Sequence, residues 1–431
     1  EIETVYIETN DPTGPYGAKA GGEHSINPTP AAIANAVAHV TGNRFRRLPI
    51  KASDVLEVLN KDKKLALQQW RRPYNLEVAT ARSLYPAVLF PGLKKLGSTL
   101  GRKRKIKPSV EYLQPKDLEE AVCEMAKLDR TTKLMAGGTD LQVGIRQGIY
   151  TPDAIVDIAM LKELRGIKVY DDKVVIGAAT TISEITECDD LRAIQPMLVD
   201  GLTKIATQQI RNVATLAGDL SQEKRCWFFR SGAQCYKAGG VACPCYAVLG
   251  DNRHHSIMGA GRCAAPCVAD AAPILTALDA SVVIVGASGR RTVSMEEFYI
   301  WSGETVVKAG EIILEIHVPR RKERTAQVFE KSAGWDGDFA DASVAMQLCF
   351  DGMSITAARI SLGAVAPLPM RAVATEQAIL VGDLSDTHIR VAAEKAVRGA
   401  LPLSGNRYKT NLLVNLTERA IHRCLSKKEV M

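Results

Sequence analysis

The chain has 431 residues, 46% of them hydrophobic and 24% charged, with a formal net charge of +7. At roughly 150 residues per domain this suits about three domains, and the composition excludes wholesale disorder. Aromatic residues make up only 5%, which disfavours a stacking platform for single-stranded nucleic acid. The longest weakly polar run, 271–287, is interrupted by Asp279, so no membrane span is expected. The N-terminus is acidic and alternating, unlike the basic start and apolar run of a signal peptide, and the expected location is cytoplasmic. Much of the basic excess sits in Lys94, Lys95, Arg102, Lys103, Arg104, Lys105 and Lys107. A solvated linker accounts for that run better than an anionic partner surface, and no nucleic-acid partner is expected.

Val5, Ile7 and Thr9 alternate like a strand. Thr29 and Pro30 then open a helix that Gly42 stops, and 49–59 reads as a second short helix. One strand and two helices make a poor independent core, so residues 1–60 are expected to dock on another polypeptide. Residues 61–108, broken at Arg71-Arg72-Pro73, Tyr85-Pro86 and Phe90-Pro91-Gly92, read as a linker. Regular pattern begins at Ser109. Leu118, Ala121, Val122, Met125 and Leu128 recur at helical spacing, 133–136 and 154–157 read as strands, and 141–147 as a helix. A hairpin is expected around Asp171-Asp172-Lys173, a helix over 196–207, and strands at 282–285 and 312–318. A final α+β segment carries strands near 342–349 and 354–362 and helices at 373–381, 386–399 and 408–425.

Two loops stand out. Leu134-Met135-Ala136-Gly137-Gly138-Thr139-Asp140-Leu141 leads a strand through two glycines into a helix, which lets backbone N–H groups approach a phosphate. In the second, Ala214-Thr215-Leu216-Ala217-Gly218-Asp219, small residues again permit close approach of a ligand. Taken alone, the first is better accounted for as a structural turn, and even the pair is only suggestive. Six of the ten cysteines lie between Cys226 and Cys267. In a cytoplasmic chain such a cluster points to iron–sulfur or zinc ligation rather than disulfides. The spacing Cys226-x8-Cys235-x7-Cys243 lacks the paired cysteines of zinc ribbons. His254 and His255 are possible further ligands. Cys123, Cys188, Cys349 and Cys424 read as small buried hydrophobes.

Residues 109–430 resemble the FAD-binding medium subunit of the molybdenum hydroxylase (xanthine dehydrogenase) family. The matching words are AGGTDL at 136–141, QIRNVATLAGDL at 209–220 and ADAAPILTALDA at 269–280, with Phe329-Glu330-Lys331 and 341–345 resembling the start of that family's C-terminal domain. The segment from Cys226-Trp227 through Cys235-Tyr236-Lys237-Ala238-Gly239-Gly240 and Cys243 to Arg262-Cys263-Ala264-Ala265 resembles the 4-hydroxybenzoyl-CoA reductase type. In that type the loop carries an extra 4Fe–4S cluster. The resemblance implies Cys226, Cys235, Cys243 and Cys263 as its ligands, with Cys245 competing for the place of Cys243. It implies FAD between the loops at 134–141 and 214–219, with Ile205, Asp270 and Lys331 near the nucleotide. Gly14 to Glu23 and Pro28 to Ala36 resemble the C-terminal end of the molybdopterin-binding large subunit, where Glu23 matches a proton-moving glutamate beside the metal. The family's wording there is GVGE, and this chain has AGGE.

The expected fold is α+β. It comprises a large-subunit tail at 1–60, a linker at 61–108, a two-subdomain FAD-binding domain of PCMH type at 109–325 and a C-terminal flavoprotein domain at 326–431. The Cys-rich insertion occupies 221–268. Implied partners are a molybdopterin-binding large subunit, a small subunit with two 2Fe–2S clusters and a low-potential carrier such as ferredoxin, in a dimer of heterotrimers. The implied function is electron transfer by FAD and 4Fe–4S for reductive dehydroxylation of an aromatic or phenolic substrate. The alternatives are oxidative hydroxylation of a purine or other N-heterocycle, and a zinc-binding scaffold.

Overall fold

The computed structural model describes residues 29–45, 50, 55, 58 and 110–428, apart from 128–129, 241–242, 336 and 353. The chain divides into two units, Glu1–Leu84 and Tyr85–Met431. In the first, a helix runs over Thr29–Thr41 and Gly42 ends it at φ +66°, a left-handed stop that suits glycine. The expected strand at Val5–Thr9, Glu23, most of the second helix and the 61–108 linker lie outside the described residues.

Three sheets and their helices build the second unit. β1 (Glu111–Leu113), β2 (Thr132–Met135) and β3 (Ala154–Asp157) form a parallel sheet with β3 central. The Leu118–Met125 helix enters on Asp117, whose side chain accepts the Glu120 amide.

The second sheet is antiparallel. It uses β4 (Ile167–Val169), β5 (Lys173–Gly177), β6 (Ser281–Gly286), β7 (Gly289–Ser294) and β10 (Ile312–Pro319), in the order β4-β5-β10-β6-β7. β6 is apolar at successive positions because both its faces are covered. Val282 and Ile284 pack into the core formed with the helices Pro196–Leu202 and Ala271–Ala277, while Val283 and Val285 pack toward the parallel sheet. A register shift between Ile313 and Glu315 lets β10 serve both cores, with Ile313 and Ile316 on one side and Leu314 on the other. A short hairpin joins β8 (Tyr299–Trp301) to β9 (Glu304–Thr305).

The third sheet, β11 (Thr325–Ser332), β12 (Ala342–Asp351), β13 (Ser354–Gly363) and β14 (Met370–Arg371), is an antiparallel meander. Its helices Val373–Val381, Asp386–Glu394 and Tyr408–Lys428 cover one apolar face. Two helices are shorter than the apolar pattern predicts. Pro196–Leu202 stops before the expected 207 because Ala206 takes φ +47°, and Asp386–Glu394 tightens into a 3-10 turn at Lys395–Val397. Cys424 is buried as expected, whereas Cys123 is exposed and Cys188 and Cys349 are half-buried. Cys123 follows the apolar Val122 in sequence but falls on the solvent side of its helix.

Glu376 pins β14 to this layer. Its carboxylate accepts the Ile360 amide at 2.7 Å and two Arg371 nitrogens at 2.8 and 2.7 Å, and the residue is only 5% exposed. Glu376→Ala leaves the Ile360 amide without its partner and Arg371 with Glu296 alone, so a loss of about 2 kcal/mol is expected, read from the urea transition of the purified chain.

Candidate functional site

β2 runs out at Met135, and the chain turns through Ala136 to Thr139 before Asp140 begins the Leu141–Arg146 helix. A Cβ placed on Gly137 would lie 1.8 Å from the Val213 carbonyl oxygen, so this loop rests directly on the backbone that opens the second loop. Gly138 adopts φ +69°, which a β-carbon would strain. Among the described residues, the amides of Gly137, Gly138 and Thr139 donate no hydrogen bond.

The second loop is fixed from behind. Ile182 donates its amide to the Ala214 carbonyl at 2.8 Å and Leu216 donates to Thr180 at 3.2 Å, while the Thr215 hydroxyl accepts the Gly218 amide at 3.1 Å. Unpaired amides on a glycine turn, backed by a rigid loop of small residues, make a cradle for phosphate oxygens. That chemistry fits the pyrophosphate of FAD. Leu134, Ala136, Ala214, Leu216, Ala217 and Ile205 serve mainly as packing, since each joins or borders an apolar core.

Asp219, Asp270 and Lys331 meet in the interior. The Lys331 Nζ lies 2.6 Å from Asp270 Oδ2 and also donates to the Lys204 carbonyl at 2.9 Å, with both ionic side chains under a tenth exposed. Asp219 Oδ2 accepts the Ala271 amide at 3.0 Å, and Oδ1 accepts from Gln222 at 2.7 Å. Burial, and then the neighbouring Asp270 charge, push the Asp219 carboxyl up to about 7. Burial raises Asp270 as well, and Lys331 opposes that rise. Beside Lys331 opens a cavity of about 490 Å³ lined by Lys204, Trp335, Asn415 and Arg419 among others. The sequence reading missed these lining residues, which come together from distant segments.

Asp140 does not cap its helix. Its Oδ1 accepts from Arg230 at 2.9 Å and forms an ion pair with Arg225 at 3.0 Å, and its Oδ2 accepts the Glu223 amide at 2.9 Å. The glycine loop is thereby strapped to the start of the cysteine-rich insertion. A second Arg230 bond, from Nε to the Lys224 carbonyl at 2.9 Å, tightens the strap.

Within the insertion, Cys226, Cys235, Cys245 and Cys263 line one cleft with Lys224, Lys237 and the rings of Phe228, Phe229, Tyr236 and Tyr246. Cys243 does not line it. Its sulfur would lie 2.5 Å from a Cβ on Gly239, so it faces the one-turn Tyr236–Gly239 helix instead. Cys245, the competitor for the place of Cys243, thus lines the cleft, and Cys243 lies outside it.

Burial pushes the Cys226 thiol up to about 11 and raises Cys263, with smaller contributions from the other cleft cysteines. Among the described residues no three His, Cys, Asp or Glu side chains converge tightly enough for a single metal ion. The four cysteines are soft, shielded donors of the kind a polynuclear cluster takes at its corners, and Lys224 and Lys237 line the same cleft. Of the two histidines, His254 is exposed and bonded to Asp341 at 2.9 Å, whereas His255 is buried with its Nε2 3.3 Å from the Cys226 sulfur. Cys267 is buried apart from the cleft, and burial pushes its thiol up to about 12.

Comparison with known proteins bears on this arrangement. Residues 107–321 match the family described as the FAD binding domain in molybdopterin dehydrogenase, and 327–424 match the CO dehydrogenase flavoprotein C-terminal domain. The chain is 27% identical over 321 residues to the carbon monoxide dehydrogenase medium chain of Hydrogenophaga pseudoflava, covering 74% of this chain and 97% of that one. It is 26% identical to the glyceraldehyde dehydrogenase medium chain of Sulfolobus acidocaldarius, covering 73% of this chain and 97% of that one. It is also 26% identical to a putative xanthine dehydrogenase FAD-binding subunit of Escherichia coli, covering 67% and 87%. A solved carbon monoxide dehydrogenase structure from H. pseudoflava superposes with a TM-score of 0.61 at 27% identity, over 75% of this chain and 99% of that one. No helix among the described residues is long and apolar enough to cross a membrane.

Two outcomes follow from the geometry. Gly137→Ala forces the two loops apart, so the variant is expected to fold but retain less than about a tenth of the wild-type flavin, a loss of some 1.4 kcal/mol or more in binding, read from the flavin-to-protein absorbance ratio. The folded Asp219 carboxyl binds its proton more tightly than the unfolded one, whose ordinary value is 3.8. Its contribution to stability is therefore lost as pH rises from about 4 to about 7. The Tm of flavin-free Asp219→Asn, relative to wild type, is expected to improve over that range and to level off above it.

Proposed function

This chain belongs to the FAD-binding medium subunits of the molybdenum hydroxylase family, and on that premise we propose that it is an electron-transfer subunit carrying FAD and an additional 4Fe–4S cluster for a reductive molybdoenzyme. The observation that carries the proposal is the four-cysteine cleft strapped by Asp140 to the glycine loop that would hold the flavin pyrophosphate. FAD supplies the exchange of one or two electrons and so couples one-electron carriers to two-electron chemistry. The protein's part is binding and placement. Gly137, Gly138 and Thr139 would offer amides to the phosphates, Lys331 and Asp270 would set a fixed charge pair near the nucleotide, and the 490 Å³ cavity would give access at the Lys331 end.

Cys226, Cys235, Cys245 and Cys263 would hold the cluster, with Lys224 and Lys237 offsetting its negative charge. In the assembly, a molybdopterin-binding large subunit and a small 2Fe–2S subunit complete the path, a ferredoxin-like carrier delivers electrons, and two heterotrimers pair. Residues 1–60 supply Glu23 to a molybdenum site on a partner chain. The proposed reaction removes an aromatic hydroxyl: two electrons and two protons convert the phenolic carbon to C–H and release water. The likeness of the insertion to 4-hydroxybenzoyl-CoA reductases supports this direction. A second reading, oxidation of an N-heterocycle, is favoured by relatives named for xanthine and for nicotinate.

The test uses the intact complex. Iron and flavin analysis is expected to give both groups on this subunit, with Cys235→Ser and Cys245→Ser losing the 4Fe–4S signal while keeping FAD, and Cys243→Ser keeping both. A colourless, zinc-loaded subunit overturns the redox assignment, and iron loss in Cys243→Ser with retention in Cys245→Ser overturns the ligand set. Turnover of phenolic substrates with a reduced low-potential dye supports the reductive direction. Turnover of N-heterocycles only with an oxidising dye favours the second reading.

A further inference from the structure

We propose that His255 is a hydrogen-bond donor to the Cys226 sulfur that raises the reduction potential of the cluster bound there, an inference that rests on the iron–sulfur reading of the insertion. The imidazole is buried at 5% exposure, and its Nε2 lies 3.3 Å from the Cys226 Sγ. The opposite nitrogen, Nδ1, is buried and has no hydrogen-bond partner.

The ring's position is imposed from outside the insertion. Asn406, fully buried and contributed by the C-terminal domain, donates to the backbone carbonyls of His255 and Ser256, each at 3.0 Å. The His255 amide donates to the Asn252 carbonyl at 3.0 Å, and the Phe228 ring lies 6.4 Å from the imidazole. The side chain is thus held against one sulfur by two domains at once.

The chemistry then assigns the proton. A ligating cysteine is a thiolate, which accepts hydrogen bonds and donates none. A neutral imidazole carries one N–H, and a proton on Nδ1 would point at nothing. With the proton on Nε2, the ring gives its one N–H to the sulfur. A purely space-filling role would not call for a polar ring here, because one nitrogen remains unpaired in the interior. His255 is therefore a positioning residue rather than a ligand, since the nitrogen that could bind iron is already directed at a ligand sulfur. A donor to a ligand sulfur withdraws electron density and favours the reduced cluster.

The experiment is a redox titration of the intact complex, followed by electron paramagnetic resonance of the reduced cluster, for wild type, His255→Leu and His255→Gln. Iron and flavin are measured in the same samples. His255→Leu is expected to keep iron and flavin and to move the cluster midpoint to more negative potential, with the flavin midpoint unmoved. His255→Gln, whose amide N–H can reach the sulfur, is expected to return most of that shift. An unchanged midpoint in His255→Leu overturns the proposal, as does a Gln variant that behaves like Leu. Loss of iron in His255→Leu overturns it in favour of direct ligation or a structural role. Wild-type subunit with no reducible cluster is a separate outcome, and it removes the iron–sulfur reading itself.

Discussion

The Lys331 ammonium and the Asp270 carboxylate sit 2.6 Å apart in an interior that leaves neither more than a tenth exposed. Two charges so placed are tolerable only if each stays paired, because removing either partner leaves an uncompensated ion away from water. That requirement ties β11 of the C-terminal sheet to the Ala271–Ala277 helix of the domain before it. It also reaches the second loop. Asp219 stands near enough to feel the Asp270 charge and spends one oxygen on the Ala271 amide. Lys204 completes the tie in the other direction, accepting from Lys331 through its carbonyl and donating its own Nζ to the Phe329 carbonyl at 3.1 Å. A shift of either domain would break the Lys331 and Lys204 links together.

Asp140 does the comparable work at the other end of the site. A carboxylate that receives two guanidinium groups and a backbone amide fixes direction as well as distance. The glycine loop and the cysteine cleft are therefore parts of one rigid arrangement. This matters for a redox protein, whose contribution is to set the separation and surroundings of groups that carry the chemistry. The insertion is otherwise poor in regular structure, with one-turn helices at Trp227–Arg230 and Tyr236–Gly239. Its order comes from such anchors and from Asn406, which reaches in from the C-terminal domain.

Much of the second unit's architecture was legible in the residues. The runs at 282–285 and 312–318, the hairpin at 171–173 and the helix at 373–381 fall where their patterns place them. Each owes its form to a periodicity or a turn residue within a few positions. The two glycine-containing loops were legible for a similar reason. Gly137 has no room for a methyl group, and Gly138 needs positive φ. Such backbone demands narrow the residue choice enough to leave a recognisable word. The exposed Cys123 marks the limit of that reasoning, since an apolar neighbour does not say which way a side chain on a helix turns.

By itself, then, the sequence determined the order of the elements, the two loops and the presence of a cysteine-rich insertion after the second of them, because these rest on local pattern and on the few residues that special backbone geometry allows. Only the tertiary structure decided which cysteines share a cleft, that Asp140 anchors the insertion rather than its own helix, and that His255 meets Cys226 while its neighbour His254 faces solvent. Cys243 and Cys245 differ by two positions and one proline, yet only Cys245 lines the cleft, while Cys243 sits against the Tyr236–Gly239 helix. Those outcomes depend on where distant backbone segments hold each Cβ, which local pattern does not encode.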